Sequence, residues 1–326
     1  MSRRLPPAPA RGTDKPTQMN SETPDTLPVT EQENPKTANL SSSSTEDILG
    51  LMSDEDALVA GAVRRVLPAV AQAVDGIVNR MNAGGRLFYL GTGTSGRLGV
   101  LDASEIPPTF GVPRDMVQGV IAGGYDACHR AVEASEDDAT AGREDLKDRG
   151  FSRGDALVGI AASGGTPYTA GALAYARELG AFTVAVTCVP ESPITKIVDV
   201  SIVPVVGAEV LAGSTRLKAG TAQKMVLNML STATMTKLGY VSGNRMTNVN
   251  AGNKKLRARA ARILMAETGI GETEAARALK EAGGELRVAL VMSAAKCGAT
   301  EASAALATSR GVVKKAVDEI RSLQRP

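Results

Sequence analysis

Aromatic side chains are scarce in this 326-residue chain: they make up 3% of it, and tryptophan is absent. Proteins that hold sugars often stack the rings on aromatics, so any carbohydrate here is expected to be gripped by hydrogen bonds and charge instead. Histidine occurs once, at His129, which leaves the usual His/Cys metal sets without members. A Ser-His-Asp device would depend entirely on that residue, and the simpler reading of His129 is a helix-surface or partly packed side chain. Three cysteines, Cys128, Cys188 and Cys297, are odd in number and far apart, which argues against a disulfide framework. No run reaches the apolar length of a membrane span, and the N-terminus lacks the apolar core of a signal peptide. A net charge of +2 gives a polyanion no reason to bind. The expectations are therefore no metal or cofactor, no nucleic acid, no membrane, and a cytoplasmic or otherwise reducing compartment.

What is present divides the chain in three. Residues 1–40 hold seven of its sixteen prolines, all within the first 35 positions, mixed with Thr, Glu and Lys. Such a segment buries too little apolar area to offset its ordering entropy, so 1–40 reads as a largely disordered extension, with Thr30 to Leu40 open to docking on the body. Residues 41–240 carry the hydrophobic patterning. A helix is expected from the cap Ser44-Thr45-Glu46-Asp47, and a second from Val63 to Met81, where Pro68 implies a kink or a later start. Apolar runs then alternate with helices. Strands are expected at Arg86–Leu90, Met116–Ile121, Ala156–Ala161, Phe182–Thr187 and Val200–Val205. Helices are expected at Ser95–Ser104, 126–149, Pro167–Leu179 and about Thr215 to Lys237. Continuous apolar strands between helices indicate an α/β fold, a doubly wound parallel sheet sandwich covered on both faces. Residues 241–326 read as a small all-helical subdomain, with helices at Leu264–Ile270, Glu272–Ala282, Glu285–Ala295 and Gly311–Leu323. Its fifteen Lys and Arg against eight Asp and Glu are interleaved, the pattern of a solvated surface rather than of a nucleic-acid module.

Two loops look built for an anion. Gly91-Thr92-Gly93-Thr94-Ser95-Gly96 follows the Leu87–Leu90 run, and glycines between a strand and a helix let backbone N–H groups approach a ligand. It is not a Walker loop, since no Gly-Lys-Ser/Thr ending follows, and a dinucleotide reading is weak. A plain tight turn would explain the glycines but not the hydroxyls of Thr94 and Ser95. Ala162-Ser163-Gly164-Gly165-Thr166-Pro167 repeats the pattern after a second strand, with Ser163, Gly164 and Thr166 as candidate contacts and Pro167 suited to a first helical position. Parallel strands would aim both loops into one crevice, which suggests a phosphosugar. Glu105 follows Asp102 on the first helix, and Pro107-Pro108 is expected to stop that helix near the crevice. Glu133, Glu136, Asp137 and Asp138 form an acidic run, a solvated helix face in its plainest reading. Ser214, Arg216 and Lys218 open the long helix, where cations oppose the macrodipole unless they serve a ligand.

The two hydroxyl loops resemble those of sugar isomerase (SIS) domains, which bind phosphosugars. More narrowly, LGTGTSGRLGVLDASEIPPTFG, IAGG, AVEASEDD, GIAASGGTPY and GSTRLKAGTAQKMVLNMLST together resemble the N-acetylmuramic acid 6-phosphate etherase family, over about residues 28 to 325. The resemblance implies a lyase that converts N-acetylmuramic acid 6-phosphate to N-acetylglucosamine 6-phosphate and D-lactate, without a cofactor, in a homodimer, as a step of cell-wall sugar recycling. It implies that Glu105 protonates the departing lactyl oxygen, that Glu136 is the second catalytic carboxylate across the crevice, and that Thr94, Ser95, Ser163 and Thr166 hold the phosphate. The family usually has Arg where this chain has Gly165, which implies weaker anion binding or a substitute such as Arg216. The rival readings are an aldose–ketose isomerase on the same fold and a non-enzymatic phosphosugar-sensing regulator.

Overall fold

Ser44 sets the first long-helix boundary in the computed structural model, which describes residues 27–130, 132, 136–249 and 254–324. Its hydroxyl accepts the Asp47 N–H at 3.2 Å, and α1 (Thr45–Arg65) follows with Glu46 and Asp47 in its first turn. The chain breaks at Val66 and restarts as α2 (Leu67–Asn82), with Pro68 in the first turn, where a missing N–H costs nothing. Pro68 thus marks a new helix rather than a kink. Of the Pro-rich segment, residues 1–26 lie outside the described residues, whereas 27–43 form a short strap with two 3-10 turns, Pro35–Thr37 and Leu40–Ser42.

Five parallel strands follow: β1 (Leu87–Gly91), β2 (Val117–Ile121), β3 (Ala156–Ile160), β4 (Phe182–Val186) and β5 (Val200–Ile202). They line up in the order β2-β1-β3-β4-β5, with Leu87 opposite both Val117 and Ala156. Because side chains alternate along a strand, Leu87 and Tyr89 join the core under α1, α2, α3 (Gly93–Phe110) and α6 (Lys218–Lys237). Phe88 and Leu90 join the opposite core under α4 (Ala139–Asp148) and α5 (Pro167–Glu178). Both faces are covered, which is why the strands are largely apolar, β1 and β3 throughout, and the architecture is the doubly wound α/β sandwich the sequence implied. Each fully buried Leu or Phe of this sheet contributes about 1.5–3 kcal/mol through removal from water.

The remaining helices, α7 (Lys254–Thr268), α8 (Glu272–Glu281), α9 (Leu286–Ala295), α10 (Ala299–Thr308) and α11 (Val313–Leu323), enclose a separate core around Leu264, Leu286, Val291 and Ile320. A two-stranded hairpin, β6 (Val241–Ser242) and β7 (Arg245–Met246), leads into them. The Arg287 guanidinium reaches the Gly111 carbonyl at 3.2 Å and the Tyr240 hydroxyl reaches the Arg310 carbonyl at 3.0 Å, tying this bundle to the sheet layer.

Several elements depart from the sequence reading, among them α7, which starts ten residues before the expected Leu264, and the hairpin at 241–246, where only helices are expected. The helix after the first loop does not stop before Pro107-Pro108 but carries both prolines to a left-handed cap at Gly111, whose N–H bonds the Pro107 carbonyl. The carbonyl of the exposed Ser104, one of those the prolines leave without a helical donor, lies where water can serve it. Residues 126–149 are not one helix: a short turn spans Tyr125–Cys128, and α4 starts only after Asp138, whose carboxylate takes the N–H groups of Thr140 and Ala141. The long helix begins at Lys218, three residues late, because 214–217 form a turn. Helix α10 lies in a stretch read as a break; its alanines are good helix formers but give little hydrophobic contrast.

Candidate active site

In the order β2-β1-β3-β4-β5 the chain reverses its direction of winding between β1 and β3, so the crevice of the fold opens at the carboxyl ends of those two strands. The loops 91–96 and 161–167 leave from there. Thr92 precedes α3 and Thr166 precedes α5, and neither caps its helix with its side chain. Both helices therefore turn a positive dipole end to the crevice, and α3 adds its first N–H groups, whereas at α5 Pro167 has none and that of Tyr168 is taken by a backbone carbonyl. Gly93 (φ +48°) and Gly164 (φ +70°) hold left-handed turns; a Cβ on Gly164 would lie 2.1 Å from Ser192 Oγ.

Glu136 links the two loops. Its Oε1 sits 3.3 Å from where a Gly93 Cβ would stand, and its backbone carbonyl accepts the Tyr168 N–H of α5 at 3.1 Å. It lines a cleft of about 550 Å³ together with Asp137, Ser163, Gly165 and Thr166, closed on the far side by Pro190–Pro193 and by Pro28 and Glu31 of the N-terminal strap. Arg97 donates to the Ala127 carbonyl at 2.9 Å and to the Arg130 carbonyl at 2.9 Å, fixing the loop that leads to Glu136. The acidic run is thus a loop, not a helix face; Glu133 lies outside the described residues.

The other candidates are placed as follows. Thr94 abuts the start of α6, its Cγ2 3.5 Å from the Cβ position of Gly220. Ser95 is buried and donates its hydroxyl to Gln223 Oε1 at 3.0 Å, so that hydroxyl fastens α3 to α6. Ser214 and Arg216 lie on the turn before α6, Ser214 half-buried and Arg216 exposed. Lys218 is fully buried, and its ammonium is committed to Glu55 at 2.5 Å, with Lys36 on the other Glu55 oxygen at 2.9 Å. Burial alone would raise the Glu55 carboxyl, but the hydrogen bonds from Lys218 and Lys36 outweigh it and hold the group below its ordinary value. The N-terminus of α6 is itself occupied by Glu209, which accepts the N–H groups of Lys218 and Ala219, both at 3.0 Å. The cost of a cation at this helix start is met by two carboxylates of the chain itself, so Lys218 does not face the cleft as a free cation.

Glu105 is not brought to Glu136 within the chain. It is exposed on α3, twelve residues past Gly93, which is about 18 Å along the axis from the loop. Close by in sequence, Asp102 turns inward, accepting from Asn228 Nδ2 at 2.6 Å and Ser231 Oγ at 3.2 Å, which fastens α3 to α6. Burial, followed by the Asp102 carboxyl, pushes the Tyr89 phenol well above its ordinary value beneath the same layer. Asn228 also lines an apolar groove of about 910 Å³ between α2 and α6, with Leu67, Met225 and Met229.

Residues 69–177 match the family described as the glucokinase regulatory protein N-terminal SIS domain. A phosphoheptose isomerase from Neisseria gonorrhoeae superposes with a TM-score of 0.47 at 18% identity, over 59% of this chain and 100% of that one. The N-acetylmuramic acid 6-phosphate etherase of Brucella anthropi is 51% identical over 290 residues, 89% of this chain and 94% of that protein. The enzyme of the same name from Yersinia pestis (strain Pestoides F) is 52% identical over 289 residues, 89% of this chain and 98% of its own. With half of its residues shared along nearly the whole of these proteins, the chain belongs to the N-acetylmuramic acid 6-phosphate etherase family.

Proposed function

We propose that the chain is a carbon–oxygen lyase that removes the lactyl group of N-acetylmuramic acid 6-phosphate, and that it does so as a homodimer in the cytoplasm, where a phosphorylated sugar is retained. The observation that carries the reading is the cleft that Glu136, Ser163 and Thr166 line at the start of α5, with the Glu136 carboxylate reaching Gly93 at the start of α3, in a chain half identical to named etherases. The phosphate takes the backbone N–H groups and the hydroxyls of Thr94, Ser163 and Thr166. With the sugar ring open, C1 is an aldehyde and the hydrogen on C2 becomes acidic. Glu136 removes that proton, the C3–O bond breaks, and the lactyl oxygen leaves with a proton from a second carboxylic acid. Water then adds at C3 of the unsaturated aldehyde, and N-acetylglucosamine 6-phosphate and D-lactate result. Two positioned carboxyl groups contribute about 10²–10⁴-fold each.

The second acid is Glu105, supplied by the partner subunit. Two features support this: its distance down α3 from the loop of its own chain, and its exposed position on the same helix as the solvent-exposed Leu101. A two-fold dimer across that face sets α3 of one chain against the site of the other. The test is complementation. Glu105→Ala and Glu136→Ala are each expected to lose lactate release by about 10²-fold or more while staying folded. Mixed and reassociated, they regain about a quarter of wild-type activity, because half of the random dimers carry one intact site. No recovery on mixing, with heterodimers present, would place Glu105 outside the shared site. In ¹⁸O-labelled water the label enters the sugar at C3 and the lactate leaves unlabelled; an isomerase would release no lactate.

A further inference from the structure

We propose that Glu31, on the strap that runs along the mouth of the cleft, contacts the substrate: its carboxylate accepts hydrogen bonds from hydroxyl or amide N–H groups of the sugar, and so selects the sugar rather than the phosphate. The proposal rests on the phosphosugar reading above.

The strap is held in place. The Glu31 N–H bonds the Pro28 carbonyl at 2.8 Å, closing a turn, and Thr30 beside it is fully buried. The Thr37 hydroxyl donates to the Val210 carbonyl at 2.8 Å, Asn34 Nδ2 to the Ala208 carbonyl at 3.4 Å, and Lys36 to Glu55 at 2.9 Å. Residues 28–37 are thereby fastened to the loop ahead of α6, and Pro28 and Glu31 become a wall of the cleft that Glu136 and the Ser163 loop line. Glu31 Oε2 lies 3.0 Å from the Cβ position of Gly213, between the turn bearing Ser214 and the loop bearing Ser163. Among the described residues it has no ion-pair partner.

The chemistry of the walls says what Glu31 is for. The charged residues lining the cleft are Glu31, Glu136, Asp137 and Glu191, with no lysine or arginine among them. Ionised carboxylates are acceptors only, and several facing one space repel one another unless hydrogen donors stand between them. A phosphate would add to that repulsion except where it meets the dipole end of α5 and the hydroxyls of Ser163 and Thr166, so the carboxylate side of the cleft is left to the sugar. The hydroxyl and acetamido N–H groups of an amino sugar are the donors that such a wall accepts. Among the described residues the carboxylate of Glu31 is exposed and caps no helix.

The experiment compares two ligands on the full chain. Glu31→Ala is expected to weaken calorimetric binding of N-acetylglucosamine 6-phosphate by about tenfold to a hundredfold, the scale of a hydrogen bond to a charged group. Binding of inorganic phosphate stays the same or tightens. Glu31→Gln, which keeps one acceptor, falls between, and the loss in turnover falls mainly on KM rather than kcat. Thr37→Val, which unfastens the strap without touching Glu31, gives a smaller shift in the same direction. The proposal is overturned if both ligands weaken together in Glu31→Ala, if neither changes, or if Thr37→Val weakens the sugar phosphate while Glu31→Ala does not. A wild-type chain that binds N-acetylglucosamine 6-phosphate but releases no lactate would sink the lyase reading and leave this test intact.

Discussion

Three helices start at the same edge of the sheet, and the chain treats them in two ways. At α6 the free N–H groups are taken by Glu209, a fully buried carboxylate, and the adjoining Lys218 is neutralised by Glu55. At α3 and α5 no side chain at the capping positions, Thr92 and Thr166, covers the helix start, although at α5 Pro167 has no N–H and that of Tyr168 bonds the Glu136 carbonyl. The dipole physics is the same at all three. A helix start closed by the protein's own carboxylate contributes to stability and has nothing left to offer a ligand. A start left open gives up that stabilisation and gains a place for an anion. The contrast predicts that substitutions at α6 register in unfolding, and that substitutions at α3 and α5 register in binding.

The largest effect expected from this contrast is at the closed end. Lys218→Met removes the buried partner of Glu55 and leaves that carboxylate with only the surface ammonium of Lys36. Breaking a buried pair in this way costs about 3–5 kcal/mol, read as a lower urea midpoint. Inorganic phosphate should bind the surviving folded fraction as before. A variant of wild-type stability whose phosphate affinity collapses would reverse the comparison and return Lys218 to the site.

This division was only partly legible in the sequence. The sheet was, because strands buried on both faces must be mostly apolar, and the two glycine- and hydroxyl-bearing loops follow from their position after such strands. Ser163 and Thr166 stand at the cleft, and Glu136 joins them from the loop ahead of α4 rather than from a helix face. Lys218 was not legible as a buried ion, since its partner Glu55 is 163 positions away and resembles any exposed residue of an amphipathic helix. Glu31 was missed for a related reason. Its segment is rich in Pro, Thr and Glu, the composition of a chain that orders nothing by itself, and it is fixed by hydrogen bonds to carbonyls 173 and 174 residues away. The run through Pro107-Pro108 was misread because a local rule about proline gave way to helix packing; Glu105 consequently sits on a continuous helix, facing outward.

A smaller effect separates the two ends by pH. The Glu55 carboxyl is held below its ordinary value when folded, so the stability it contributes is fully present above the unfolded value of about 4.3 and is lost as pH falls through the lower, folded one. The gap in unfolding free energy between wild type and Glu55→Gln should therefore be constant from neutral pH down to about 5 and narrow below about 4. A gap that widens on acidification would mean that burial, not Lys218, governs Glu55.

The smallest expected change is at the open end. A Cβ on Gly165 would meet only Ser163 Oγ at 3.9 Å, so a long side chain has room there and reaches over the uncapped start of α5. Gly165→Arg should tighten inorganic phosphate by about three- to tenfold at low salt, with most of the gain gone at high salt, as for a solvent-exposed charge. Stability should stay within about 0.5 kcal/mol, because the position is exposed and carries no packing. If phosphate is indifferent to the new guanidinium at every salt concentration, the anion does not sit at α5. The open helix starts would then be divided as well, with α3 alone holding the phosphate and the Ser163 loop turned toward the sugar beside Glu31.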